Sequence, residues 1–309
     1  MNLLKTIVVG VDFTPGCAAA LQEACRIADW GNARLRPLHV IDTHVAEELE
    51  AALGGKQSNI REQLVEDARR AWISFAQGVK CSTTAELEVR IDNRVRGLLS
   101  AAADAAADLL VVGAFASRHE DEGAGSVAIA CVRHARSKVL LVPESQVGAF
   151  KNVVACVDFS ETSLIALDQA ARVATQDGAA LHVLHVFSAP WRRLHYRAPT
   201  RETNPEFQLQ YRQGLERRLR AFSGLLGREI DYLKPTYALF EYDGHRSGIA
   251  EYATRNGADL IVLGTQGKTN LRDMLLGSTA EKTLREARCS VLAVRPEPMA
   301  GSQAAASKL

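Results

Sequence analysis

Short runs rich in Val, Leu and Ile recur along the chain at Ile7 to Val11, Leu35 to Val40, Glu86 to Ile91, Leu109 to Val112 and Val139 to Val142. Runs of this kind predict strands buried on both faces. Amphipathic stretches lie between the apolar runs. The clearest, later in the chain, places Leu215, Leu219, Phe222 and Leu226 on one helical stripe and Arg217, Arg218 and Arg220 on the other side. Strands alternating with helices imply right-handed crossovers and a parallel sheet covered on both faces, so the predicted class is α/β.

The pattern is written twice. Lys5-Thr-Ile-Val-Val-Gly-Val-Asp12-Phe13-Thr14 answers Lys151-Asn-Val-Val-Ala-Cys-Val-Asp158-Phe159-Ser160, and Leu38-His39-Val40 answers Leu184-His185-Val186. Ala107-Asp-Leu-Leu-Val-Val-Gly113 pairs with Ala258-Asp-Leu-Ile-Val-Leu-Gly264, and Lys138 to Val142 with Ser290 to Val294. Repeats that keep their order mean one domain fold used twice. The expected domains are residues 1–147 and 148–309, joined near the polar, Gly-containing stretch Ser145 to Ala149.

Composition narrows the function classes. With 309 residues, 47% of them hydrophobic, the chain is neither disordered nor fibrous. Lys and Arg number 37 against 36 Asp and Glu, which leaves no global field for nucleic acid or an anionic membrane. Asp104 and Asp108 interrupt the Ala-rich stretch nearest to a membrane span, and the apolar run at the start is too short for a signal peptide. The expected location is the cytoplasm. Six cysteines without a C-x-x-C pair are expected to be free, reduced thiols.

In open parallel sheets, ligands bind beyond the carboxyl ends of the strands. In the second half those ends carry Asp158-Phe159-Ser160, Val186 and Gly264-Thr-Gln-Gly267-Lys268-Thr269, followed by Leu275-Leu276-Gly277-Ser278-Thr279 at the start of the last helix. These letters suggest an anion cradle: Gly264 and Gly267 able to take positive φ and admit a ligand to the backbone, Gly277 and Ser278 offering N–H groups and a hydroxyl. The helix-dipole share is only about 0.3–2 kcal/mol, so several such contacts must act together on a triphosphate. Asp158 could meet a ribose or an adenine amino group at the far end. A Walker A loop is rejected, because Val262 stands where its first glycine should be. Gly123-Ala-Gly125-Ser-Val-Ala128 mimics a dinucleotide fingerprint, but Ser117 to Glu122 separate it from the preceding strand.

Gly264-x-x-Gly267, nine further residues and Gly277-Ser278, supported by Val157-Asp-Phe-Ser160, resemble the nucleotide-binding pattern of the universal stress protein family. The likeness runs over nearly the whole chain as two tandem copies. It implies two flavodoxin-like (adenine nucleotide alpha hydrolase-like) domains, each a five-stranded parallel sheet, paired through their last strands into an intrachain pseudo-dimer, with a homodimer of whole chains also open. It also implies ATP, with Mg2+ as a companion ion, contacted by Asp158, Phe159, Ser160, Val186, Gly264, Gly267, Gly277, Ser278 and Thr279. The implied role is binding in stress response or resilience.

The first half departs from that pattern. Ala116 replaces the second glycine, the spacing is one residue shorter, and Glu120-Asp121-Glu122 places acid where phosphates would sit. Like charge opposes a triphosphate, so this copy is expected to be structural and not to bind ATP. No residue set is nominated as catalytic or metal-binding: His182 and His185 point to opposite faces of a strand. Slow ATP hydrolysis stays open as an alternative. So does a carrier of a nucleotide-linked lipid, or a partner-recruiting module with a vestigial ATP site, built on the Arg-rich segment from Trp191 to Lys234. The simpler reading of that segment is a solvated loop and helix face.

Overall fold

The computed structural model describes residues 4–53, 59–79, 81, 85–114, 124–193, 205–242, 247–267 and 276–296. The first half runs β1 (Thr6–Gly10), α1 (Pro15–Asp29), β2 (Arg34–Asp42), α2 (Thr43–Leu53), α3 (Ile60–Gly78), β3 (Glu88–Asp92), α4 (Arg94–Asp104), β4 (Leu109–Gly113), α5 (Ser126–His134) and β5 (Lys138–Val142). The second runs β6 (Asn152–Cys156), α6 (Glu161–Asp177), β7 (Ala180–Phe187), α7 (Pro205–Ser223), α8 (Arg228–Tyr232), β8 (Thr236–Glu241), α9 (Gly248–Arg255), β9 (Leu260–Gly264), α10 (Ser278–Glu286) and β10 (Ser290–Val294). The apolar runs become strands as expected, with β3 displaced by two residues at its start. The Leu215 to Leu226 stripe bends: α7 ends at Ser223 and Gly224–Leu226 form a 3₁₀ turn.

The strands form one ten-stranded sheet in the order β3-β2-β1-β4-β5-β10-β9-β6-β7-β8. Each half is a parallel five-stranded sheet with its first strand third from its outer edge. Both are α/β, and numbered within each copy the strand order is 3-2-1-4-5, so the winding reverses between the first and fourth strands. The halves meet where β5 and β10 pair antiparallel, Leu140 opposite Leu292. Strand alternation divides the core between the two faces. Ile7 and Val9 pack in one cluster with Leu167 and Leu292, while Val8 packs in another with Leu110, Leu284 and Val291. Each cluster thus draws on both halves.

Two repeated aspartates stitch the sheet at its amino ends. Asp108 accepts from the N–H groups of Lys5 and Thr6, and Asp259 from those of Lys151 and Asn152. A third aspartate crosses between the halves. Asp177, at the end of α6, accepts from the Arg26 guanidinium of α1 and from the Phe150 N–H at 2.8 Å. Arg26 also pairs with Glu23 and lies over the rings of Trp30 and Phe150, at 4.9 and 5.3 Å. Glu23 and Asp177 side chains are each 2% exposed. Burial pushes the Glu23 carboxyl up from its ordinary value, against the opposing pull of Arg26.

The expectation that every cysteine is a free thiol is corrected. Cys25 of α1 and Cys81, ahead of β3, form a disulfide with Cα atoms 5.9 Å apart, across a sequence separation of 56. The fold lays the two segments side by side, which their spacing did not reveal. Cys17, Cys131 and Cys156 are buried and free, and Cys289 is half-buried and free. Among the described residues, no helix is long and apolar enough to cross a membrane.

Candidate functional site

The carboxyl ends of β6, β7 and β9, with the first turn of α10, enclose a cavity of about 330 Å³. Cys156, Leu184, Val186, Ile249 and Leu263 supply apolar walls. Asp158, Ser163, Thr265, Gln266, Ser278 and Thr279 supply polar ones, and Gly264, Gly267, Gly277, Val157 and Ala280 complete the lining. An apolar slot with a few convergent polar groups is the usual form of a small-molecule site, and its volume lies at the small end of that class.

Seven of the nine nominated residues line this cavity: Asp158, Val186, Gly264, Gly267, Gly277, Ser278 and Thr279. Phe159 and Ser160 do not. They build the turn that aims Asp158. Asp158 Oδ1 accepts from the Ser160 N–H at 3.0 Å and from its hydroxyl at 2.5 Å, and Ser160 Oγ accepts from the Ser163 N–H at 3.2 Å to cap α6. Phe159, at φ 66°, turns its ring onto His185 (4.6 Å) and Phe222 (5.6 Å), beneath Arg218 (4.1 Å). A bulky side chain in the left-handed region is held there by its surroundings. The first half repeats the turn: Phe13 has φ 63° and packs on His39 and Phe75, and Asp12 Oδ1 accepts from Thr14. This motif therefore belongs to the fold.

The glycines act differently from expectation. None of Gly264, Gly267 and Gly277 adopts positive φ; among the described glycines, Gly148, Gly178, Gly227 and Gly257 do. What matters is close approach. A Cβ on Gly264 would lie 2.8 Å from Thr162 Cγ2, so this glycine lets α6 dock on β9. A Cβ on Gly267 would lie 2.7 Å from Asp158 Oδ2, so this one leaves room for the carboxylate. Gly277 is extended at φ −69°, ψ 145°, and its N–H is not free but donates to Thr265 C=O at 2.8 Å. The N–H groups left to a ligand are those of Ser278, Thr279 and Ala280, which as the first helical residues have no intrahelical acceptor. Gly125 makes the same bond to Ala114 in the first half, also at 2.8 Å.

Sequence reasoning missed Ser163, Leu184, Ile249 and Leu263. Leu184 was within reach, since it shares a strand face with Val186. Ile249 is brought in by α9, whose Gly248 packs so closely that a Cβ would sit 2.6 Å from Val186 Cγ1. Burial, foremost, pushes the Cys156 thiol well above its ordinary value, so this wall is an unreactive thiol. His185 Nδ1 sits 2.8 Å from Val157 C=O, as His39 Nδ1 sits 2.7 Å from Val11 C=O. His182 faces the other side, 2.9 Å from the Tyr252 hydroxyl, and burial lowers its pKa. Among the described residues no group of three or more His, Cys, Asp or Glu is placed to hold a metal ion.

Two arginines of α7 are paired locally. Arg212 pairs with Glu241, Arg220 pairs with Glu216 at 2.8 Å and lies over Tyr237 at 4.3 Å, and Trp191 packs on Phe207 and Tyr211. None of these residues lines the cavity. Tyr196, Arg197 and Arg201, the acidic stretch Glu120 to Glu122, Ala116, and Lys268 to Leu275 lie outside the described residues.

Fold and site together define a tandem flavodoxin-like α/β protein with a strand-end cavity in its second copy. The chain belongs to the universal stress protein family, whose family model matches residues 4–143 and again 149–295. It is 26% identical over 309 residues to a universal stress protein of Mycolicibacterium smegmatis, covering 94% of this chain and 97% of that one. It is 31% identical over 150 residues to universal stress protein A homolog 1 of Coxiella burnetii, covering 47% of this chain and 96% of the relative. A shorter match to universal stress protein MJ0531 of Methanocaldococcus jannaschii, 53% identical over 47 residues, spans 28% of that protein. In fold, the chain is similar to the crystal structure of a universal stress protein from Archaeoglobus fulgidus, with a TM-score of 0.61, 18% identity and coverage of 94% and 96%.

Proposed function

We propose that the second half binds ATP or a related nucleotide, and that the protein acts in stress response by binding and not by efficient catalysis. The observation that carries this reading is the cavity itself, where an apolar slot runs from Asp158 to the open first turn of α10. The residues fit the group. Val186, Leu184, Ile249 and Leu263 would flank a base, and Asp158 would accept from a ribose hydroxyl or an adenine amino group. Ser278, Thr279 and the N–H groups around them would hold phosphate oxygens. Gly264 and Gly267 keep the α6 start and the Asp158 carboxylate in place, and Phe159 and Ser160 fix the turn. Mg2+ would be coordinated through the phosphates.

In the same reading the boundary falls at 147/148, and the first half is a structural partner within the chain. The β5–β10 seam gives the second half a pseudo-dimer neighbour, and two whole chains joining as a homodimer is a further step. The cytoplasm is the compartment where such a ligand is at hand. Denaturing the purified protein and identifying the released small molecule by mass spectrometry tests the reading. An adenine nucleotide is expected; a lipid or an unrelated metabolite alone would overturn it.

A further inference from the structure

The first half reaches the candidate site of the second through α5, which shares a core cluster with α10: Ala128, Ile129 and Val132 with Ala280 and Leu284. The Ala124 N–H, just ahead of α5, donates to Leu284 C=O at 2.9 Å. Arg295, after β10, donates through Nη2 to Arg133 C=O at 2.7 Å, which fixes the end of α5. From there the Arg133 guanidinium crosses to Glu281, 3.1 Å away, while Arg285 holds the other carboxylate oxygen at 3.0 Å. Arg285 and, secondarily, Arg133 hold the Glu281 carboxyl below its ordinary value.

Glu281 is a residue of the first turn of α10, about 4.5 Å along the axis from Ser278. A bare carboxylate so near the helix start would repel a phosphate bound there. The internal repeat shows where the charge pair is needed. Arg133 and Arg285 occupy equivalent positions in α5 and α10, but the equivalent of Glu281 is Ile129. The arginine stands in both copies; the acid stands only beside the intact glycine pattern.

We propose that Arg133 is a positioning residue for the phosphate end of the second half's site, acting from the other domain by holding α10 through Glu281 and offsetting that carboxylate's charge. The proposal rests on the nucleotide reading above. It gives the first half a part in ligand binding without a ligand of its own.

Titration of the full chain with ATP and, separately, adenosine tests it in Arg133→Gln, Arg133→Lys, Glu281→Gln and the Arg133→Gln/Glu281→Gln double variant. Arg133→Gln should weaken ATP by roughly two- to fivefold at low salt and leave adenosine unchanged, because only the phosphates feel the uncovered charge. Arg133→Lys should stay near wild type, Glu281→Gln should bind ATP at least as tightly, and the double variant should match Glu281→Gln. A purely packing role predicts otherwise: both single variants weaken ATP and adenosine alike, and the second substitution rescues nothing. That result, or an Arg133→Gln variant that binds ATP as wild type does, overturns the proposal while leaving the nucleotide site standing. A wild-type chain that binds neither ligand overturns both.

Discussion

The two halves share strand order, the Asp-Phe turn, the histidine behind it and the glycine that starts the last helix, and they differ in what surrounds those parts. The second half places Gly267 against Asp158 and Gly264 against α6, at the mouth of a cavity. The first half carries Ala116 in place of the second glycine and devotes α1 to holding structure: Arg26 clasps Asp177 in the other half, and Cys25 bonds Cys81. At the equivalent positions of α6 stand Arg172, which pairs with Asp168 of its own helix, and Ala171. On the proposed reading, one fold is specialised for a ligand or for cohesion by substitutions at a few positions. Features present in both copies report the fold, and features present in one report its use.

The sharpest way to break this contrast is at the clasp. Arg26→Ala leaves Glu23 and Asp177 buried without a cation, and loss of one partner from a buried charge network costs about 3–5 kcal/mol. Arg172→Ala, its counterpart, removes a partly exposed pair with Asp168 that is worth about 0.5 kcal/mol and should cost clearly less than Arg26→Ala. Urea unfolding of the two variants measures the difference; equal effects would contradict a division of labour between α1 and α6. Next in size is the disulfide. Its reduction, or Cys81→Ser, should lower stability by about 2–4 kcal/mol, read as a lower melting temperature in the presence of a dithiol reductant.

Within the site, Gly267→Val drives a side chain into the Asp158 carboxylate and should weaken ATP by roughly tenfold, or about 1.4 kcal/mol. The smallest effect concerns pH. Burial raises the Glu23 carboxyl above its ordinary value of 4.5, so the stability it contributes is complete below that value and is lost as pH rises through the raised one. Glu23→Gln, which installs the residue found at the equivalent Gln169, should flatten that part of the stability profile. An unchanged slope in pH-dependent unfolding would show that Glu23 does not titrate as its burial requires.

Much of this was legible in the sequence, because buried parallel strands announce themselves as apolar runs and a repeat fixes their equivalence. The positions of Asp158, Val186 and the glycines were readable for the same reason: strand ends follow from strand boundaries. The work of those residues was less so. Gly264 serves α6 through Thr162, a contact that exists only after β9 and α6 pack. Phe159 turns away from the cavity because His185 and Phe222 converge under it from two other elements. The repeat held a hint, since Phe13 and His39 recur in the half whose glycine pattern is broken. The clasp and the disulfide left no signal, as each joins residues far apart in the chain that only the folded arrangement brings together.

The central claim is that one copy binds and the other supports. Calorimetric titration of the full chain with ATP tests it most directly: the account predicts a single site per chain, weakened by Gly267→Val, and two equivalent sites, or one site indifferent to that substitution, would contradict it.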